Sequence, residues 1–213
     1  MRRALVLFRG TGSVDRSLEA AGFVVDSLDI DPKFGATWTA DILQWDAWKD
    51  MEPGVYDYIW SSPPCTEYSH ARTTAKTPRN LEYADSIVAR TLEIVRHLKP
   101  KGWSFENPGT GLLKTRDVIA DIPYVQVCYC MYSCGVHHLY RKLTYIWGHL
   151  PAFKPRPVCK PSQPCALSAA TGKHPSTAQR FEAKPDGTYY TLATLCSMPK
   201  ALCDDIAAAA ALL

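Results

Sequence analysis

Ser61-Ser62-Pro63-Pro64-Cys65 directly follows Tyr56-Asp57-Tyr58-Ile59-Trp60. The aromatic and β-branched run reads as a buried strand. Two successive prolines cannot donate to a sheet ladder, so the chain leaves the strand here in a fixed direction. Each proline also drives the residue before it toward extended geometry. The stretch therefore presents one thiol on a stiff turn at the carboxyl end of a central strand, where open α/β sheets place ligands. A thiol held in this way is a candidate nucleophile. Taken alone, the turn suits a half-buried structural cysteine at least as well.

Working outward, the first thirty residues read as strand, tight turn, helix and strand. Ala4 to Phe8 is a continuous apolar strand, Gly10-Thr11-Gly12-Ser13 the turn, and Val14 to Ala21 a helix with Ser13 as its expected N-cap. Gly22 ends that helix, and a second strand from Phe23 finishes at Leu28-Asp29-Ile30-Asp31. Glycines let a backbone approach a ligand closely, and an acid ending the second strand can hold ribose hydroxyls. Together they suggest a nucleoside-type cofactor. The third glycine of the dinucleotide fingerprint is missing, which argues against a pyrophosphate ligand. Asp41, in Ala40-Asp41-Ile42, could accept a hydrogen bond from an adenine amino group.

Downstream of Cys65, Thr66 to Asn80 is polar and carries Arg72, Lys76 and Arg79. A loop of that length inside a domain suggests a functional lid. Leu81 to Leu98 has apolar residues at helical spacing, and Pro100-Lys101-Gly102 closes the segment. Trp103 to Glu106 is the next strand, delivering Glu106-Asn107-Pro108 at its end. Glu106 and Cys65 are thus expected on one rim of a parallel sheet.

With 213 residues, 46% of them hydrophobic and 21% charged, the chain reads as a single domain with a modest appendage. No apolar run reaches membrane-spanning length, and Met1 to Phe8 is too short for a signal core. Eight cysteines without a secretory signal point to a reducing compartment, so a cytoplasmic or nucleic-acid-associated protein is expected rather than a secreted one. The net charge of +3 is uneven: residues 137–184 hold eight Lys/Arg against one acid, Glu182, and carry +7, leaving −4 on the rest. That asymmetry suggests a polyanion meeting one segment.

The ordered set Phe8-x-Gly10-x-Gly12, Asp29, Asp41-Ile42, Pro63-Pro64-Cys65 and Glu106-Asn107 resembles the cytosine-5 DNA methyltransferase family over about the first 150 residues. The strings Pro63-Pro64-Cys65-Thr66-Glu67-Tyr68-Ser69 and Glu106-Asn107-Pro108-Gly109-Thr110-Gly111-Leu112-Leu113 are similar to a compact viral or phage-like branch with a reduced target-recognition segment. The resemblance implies a Rossmann-like methyltransferase fold, a mostly parallel seven-stranded sheet with an antiparallel terminal hairpin. It implies methyl transfer from S-adenosylmethionine to carbon 5 of a flipped cytosine in DNA, with RNA or a free nucleotide as the alternative substrate and a catalytically inactive nucleic-acid-binding relative as the alternative function. Cys65 would attack ring carbon 6, Glu106 would supply a proton at the third ring nitrogen, and Asn107 would hold that carboxyl. Phe8, Gly10, Gly12, Ser13, Asp29, Ile30, Asp41, Ile42 and Pro63 would bind the cofactor. A monomer is the default.

The chain departs from that family in three places. Where members carry Gln-x-Arg-x-Arg before a late strand, this chain has His138-Leu139-Tyr140-Arg141-Lys142-Leu143-Thr144, then strand Tyr145-Ile146-Trp147. Arg141 matches the first arginine and Leu143 replaces the second, so Arg141, or else Lys142, is expected at the cytosine carbonyl. Leu195-Cys196-Ser197-Met198-Pro199 resembles the last block of the family without its Gly-Asn-Ala, which weakens any cofactor role for Ser197. In place of a long recognition domain stand Pro151 to Pro185, with seven prolines. Too short for a core of its own, this segment needs a staple. Cys159, Cys165 and His174 could be three zinc ligands, with Cys130 or Cys134 the fourth. Lys154, Arg156, Lys160 and Lys173, with Arg72, Lys76, Arg79 and Lys142, are the expected nucleic-acid contacts. The organisation expected is a catalytic domain over 1–150, a basic Pro-rich segment over 151–190, and a C-terminal helix over 191–213 packing back on the catalytic domain.

Overall fold

Side-chain alternation in two central strands builds a core on each face of one sheet. In the computed structural model, which describes residues 1–70, 72, 75–135, 137–178 and 184–213, strand β1 is Arg2–Leu7 and β4 is Tyr58–Ser61. Successive strand residues face opposite sides. Ala4, Val6, Tyr58 and Trp60 accordingly join one core with Leu18 of helix α1 (Ser13–Ala20) and with Leu202 and Ile206 of helix α4 (Lys200–Ala210). Leu5, Leu7 and Ile59 face the other way, against Ile87, Ile94 and Leu98 of helix α2 (Leu81–Leu98) and the indoles of Trp45 and Trp48.

The other strands are β2 (Phe23–Asp29), β3 (Trp38–Thr39), β5 (Gly102–Pro108), β6 (Tyr124–Cys128) and β7 (Leu143–His149). They form one seven-stranded sheet in the order β3-β2-β1-β4-β5-β7-β6. Pairing is parallel from β3 to β5 and antiparallel for β5–β7 and β7–β6. This is the mostly parallel, seven-stranded architecture with a terminal antiparallel hairpin that the sequence leads one to expect.

Register decides what shares the rim. Leu7 pairs with Leu28 and with Ser61, Ser61 with Phe105, and Asp29 with Thr39. Phe8, Asp29, the Ala40-Asp41 step and Ser62 to Cys65 therefore leave their strands along one edge, and Glu106, one residue past the Ser61–Phe105 pair, lies within β5 at the same edge. Because β7 runs antiparallel, with Glu106 opposite Ile146 and Pro108 opposite Thr144, it begins at that edge. Residues 141–142 arrive there from the opposite direction. Tyr129 follows the end of β6, whose Cys128 pairs with Leu143, so it reaches the same edge.

Helix α2 spans the residues its period predicted. The Asn80 side chain caps it by accepting from the Tyr83 amide, and Lys99 ends it in the left-handed conformation at φ 45°. Helix α1 corrects an expectation: Ser13 is its first helical residue, and Gly12 is the N-cap with φ 69° and no side-chain cap. Gly10 and Gly12 both have positive φ, which a residue bearing a Cβ adopts only with strain, so the turn closes one residue earlier than a serine cap would place it. Helix α4 lies against α1, with Ser17 Oγ donating to Asp204 Oδ1 at 2.8 Å. Between β7 and the short helix α3 (Leu192–Cys196), the described residues form no helix or strand, and Lys160 makes an isolated bridge with Gln163. Among the described residues no helix is long and apolar enough to cross a membrane.

Candidate active site

The turn after β4 is fastened from beneath. Asn107 is buried in β5, and its Nδ2 donates to the Pro63 carbonyl at 3.1 Å, tying the Pro-Pro turn to the neighbouring strand. Trp60 Nε1 donates to Ser62 Oγ at 2.9 Å. Cys65 is left half-buried on a turn that two prolines and two side-chain bonds hold in place. Burial pushes its thiol pKa up, the charge of Glu106 adds in the same direction, and Lys142 pulls it down.

Glu106 is buried within β5, just past the end of β4, and burial raises its carboxyl pKa. Lys142 and hydrogen bonds from Tyr129 and Ser62 oppose that shift without reversing it. The Tyr129 hydroxyl donates to Glu106 Oε1 at 3.3 Å. Lys142 Nζ sits 4.7 Å from the centre of the Tyr129 ring and donates to the Leu195 carbonyl at 3.3 Å. A thiol, a carboxyl whose pKa is raised and one half-buried ammonium are thus within electrostatic reach of one another. Such pKa perturbation in a cleft marks a candidate site for chemistry.

Beside this group runs a trough. A cavity of about 290 Å³ is lined by Phe8, Asp29, Ile30, Asp41, Ile42 and Pro64, among others. A second, of about 490 Å³, shares Phe8, Asp29, Ile30 and Pro64 with it and continues past Gly10, Ser13, Trp60 and Ser62 to Cys196 and Met198. The trough is of the size that takes small molecules and cofactors, about 300–1,000 Å³. Its wall is partly made by strain: Phe8 has φ 62°, an uncommon conformation for a non-glycine residue, concentrated at functional sites. Asp29 accepts from the amides of Gly10 at 2.8 Å and Asp31 at 2.9 Å. A carboxylate has about four lone-pair directions, so two remain for a ligand. Asp41 accepts from the Leu43 amide through Oδ1 only. Seven of the nine residues expected to hold a cofactor line the trough; Gly12 and Pro63 lie buried behind it, and Pro64 lines it instead. Ser197 faces away, donating to the Thr194 carbonyl at 2.7 Å.

Arg141 and Lys142 go separate ways. Arg141 Nε donates to the Cys159 carbonyl at 3.1 Å, on the side of the Pro-rich segment, while Lys142 turns toward Glu106 and Cys65. Cys159, Cys165 and His174 come together with Cys130, their four ligand atoms within 4.8 Å of one another; Cys134 is not in the group. Several expected phosphate contacts are occupied inside the chain. Arg72 pairs with Glu67 at 3.4 Å, Arg79 donates to the carbonyls of Glu67 and Ser69, and Arg156 lies over the Tyr132 ring and bonds Asp205. Lys76, Lys154, Lys160 and Lys173 are exposed. Residues 71, 73 and 74 of the expected lid, and Arg180 and Glu182 of the basic segment, lie outside the described residues. Sequence reasoning missed Tyr129, Ser62 as a partner of Glu106, and the α3 wall.

No family model matches the chain. A chain from an E. coli prophage named as a DNA modification methyltransferase superposes with a TM-score of 0.50 at 18% identity, covering 74% of this chain and 52% of that one. The Entamoeba histolytica methyltransferase EhMeth superposes at 0.49 and 18% identity, covering 73% and 55%. The chain spans about half the length of these solved structures, and at such identity the prophage likeness concerns the fold. A sequence relative carries more. The frog virus 3 (isolate Goorha) protein named "Probable DNA (cytosine-5)-methyltransferase" is 32% identical over 174 residues, 76% of this chain and 77% of that protein. With the sheet order, the trough and the Cys65–Glu106 rim already in place, that identity over three quarters of both chains assigns this chain to the DNA (cytosine-5)-methyltransferase family.

Proposed function

We propose that this chain transfers a methyl group from S-adenosylmethionine to carbon 5 of cytosine in DNA. The observation that carries the reading is the convergence of Cys65, Glu106 and Lys142 on one rim beside a trough lined by Phe8, Asp29 and Asp41.

Carbon 5 of cytosine is too weak a nucleophile to take a methyl group unaided. Addition of the Cys65 thiolate to carbon 6, with transfer of the Glu106 proton to ring nitrogen 3, moves an electron pair onto carbon 5. Carbon 5 would then take the methyl and give its own proton to water, and as the sulfur leaves carbon 6 as a thiolate the nitrogen 3 proton would return to Glu106. S-adenosylmethionine, when bound, supplies the electrophilic methyl group. Burial raises the Glu106 pKa, which favours the protonated form that has a proton to give, and once protonated Glu106 no longer opposes ionisation of the thiol. Lys142 then faces the thiolate with no competing negative charge from Glu106. Lys142, rather than Arg141, is the cation we assign to the reacting base, because Arg141 is held at the Cys159 carbonyl. The target atom lies inside the duplex stack, so the nucleotide must be flipped out. Exposed Lys76, Lys154, Lys160 and Lys173 are the phosphate contacts we assign.

Asp29 is assigned to the ribose hydroxyls and Asp41 to the adenine amino group. Losing a charged hydrogen-bond partner at a buried position such as Asp29 costs roughly 1.5–3 kcal/mol. Asp29→Ala should therefore weaken S-adenosylmethionine by about one to two decades, read by calorimetry. Unaltered affinity would put the cofactor elsewhere.

The function is tested by offering the chain cofactor labelled with tritium in its methyl group, together with DNA, RNA or free cytidine nucleotides. Label recovered as 5-methylcytosine from DNA supports the reading. Label from RNA or nucleotides alone would replace the substrate, and none from any would overturn it.

A further inference from the structure

The segment from Pro151 to Pro185 holds seven prolines. Its described residues form one isolated bridge and no helix or strand, yet Cys159, Cys165, Ser168 and Ser176 within it are buried. Prolines and turns cannot order such a stretch without a staple.

We propose that Cys130, Cys159, Cys165 and His174 bind a structural zinc ion that fastens the Pro-rich segment to the sheet rim. Three of the ligands come from the segment, and Cys130 comes from the turn after β6. The site therefore ties the two together across the chain. His174 Nε2 lies 3.6 Å from Cys159 Sγ and 3.3 Å from Cys165 Sγ. A single imidazole nitrogen has one directional bond to give, which cannot serve two sulfurs. A tetrahedral ion with arms of about 2.3 Å to sulfur and 2.0 Å to nitrogen requires both contacts, at edges of about 3.5 Å. The surroundings also suit anionic sulfur. The Cys165 amide points at Cys159 Sγ at 3.4 Å, and Ser168 Oγ lies 3.5 Å from Cys165 Sγ and 3.9 Å from Cys159 Sγ. Three thiolates around a divalent ion leave one negative charge, and Arg141, bonded to the Cys159 carbonyl, brings a positive one. Four protein ligands close the coordination sphere, as in structural rather than catalytic zinc sites.

The test uses the whole chain purified without chelator. Mass spectrometry of the metal should find one zinc per chain. Replacement by cobalt should give the thiolate-to-cobalt charge-transfer absorption and the intense visible bands of a tetrahedral site. Cys165→Ser and His174→Ala should lose most of the metal, and Cys134→Ser should keep it. Chelation should open the segment to trypsin at the Lys173-His174 bond, and added zinc should close it again. Because cobalt and trypsin are read on the unaltered chain, a variant that fails to fold does not decide the matter. Absence of stoichiometric zinc with no tetrahedral cobalt spectrum would overturn the proposal. So would a Cys159–Cys165 disulfide in the freshly purified protein, or loss of metal in Cys134→Ser with retention in Cys165→Ser.

Discussion

Cys65→Ser is expected to lower methyl transfer by roughly a thousandfold or more while leaving S-adenosylmethionine binding nearly intact; losses of that order or larger follow removal of an enzymic nucleophile. A serine hydroxyl fits the same turn but ionises far less readily than a thiol, so addition to carbon 6 fails. The cofactor trough should not notice. It is lined by Pro64 and Ser62 and not by Cys65, and the Asn107 bond to the Pro63 carbonyl that fixes the turn is untouched. Tritium transfer measures the first quantity and calorimetry the second. Near-normal turnover in the serine variant would remove Cys65 from the chemistry. A matching loss of cofactor affinity would mean that the variant had disturbed the turn.

The second large effect concerns Glu106. Glu106→Gln keeps the size of the side chain but has no proton to deliver, so turnover should fall roughly 10²–10⁴-fold, the usual worth of a positioned acid. Its sign in other measurements differs from that of an ordinary structural loss. When ionised, Glu106 raises the Cys65 pKa, so over the pH range in which it is ionised its removal should move alkylation of Cys65, followed peptide by peptide, to lower pH. Lys142 lowers the same pKa, so Lys142→Met should move alkylation to higher pH. Stability should follow the same logic. The folded state raises the Glu106 pKa, so its contribution is full below the unfolded value and is lost as pH rises through the folded one. Glu106→Gln should therefore be the more stable protein at neutral pH and gain nothing in acid. Shifts of the two alkylation profiles in the same direction would contradict the electrostatic arrangement.

Much of the scaffold could be read from local pattern. The aromatic run before Pro63-Pro64 had to be a central strand, and the apolar spacing of Leu81 to Leu98 gave a helix with the ends observed. The glycine turn was legible as a turn, but its φ signs were not, and they moved the start of α1 onto Ser13. What escaped was set by pairing between distant segments. Tyr129 meets Glu106 only because β6 and β7 run antiparallel in one register, and nothing near Tyr129 in the sequence announces it. The choice between Arg141 and Lys142 was undecidable from a motif that this chain only half keeps. Neighbouring residues in an extended chain point to opposite sides, so entry into β7 sends one to Cys159 and the other to Glu106. Arg72 and Arg79 looked like phosphate ligands because sequence displays charge but not the partners that absorb it.

Fluorine at carbon 5 cannot leave as a proton does, so a cytosine bearing it should halt the reaction after methyl transfer with the sulfur still bonded to carbon 6. The most direct test of the account is to incubate the chain with S-adenosylmethionine and DNA in which 5-fluorocytosine replaces cytosine, then look for a denaturant-stable complex. A cofactor-dependent adduct that maps to the Cys65 peptide and is absent in Cys65→Ser is the predicted result. No adduct with a protein that methylates ordinary DNA, or an adduct that survives Cys65→Ser, would contradict it.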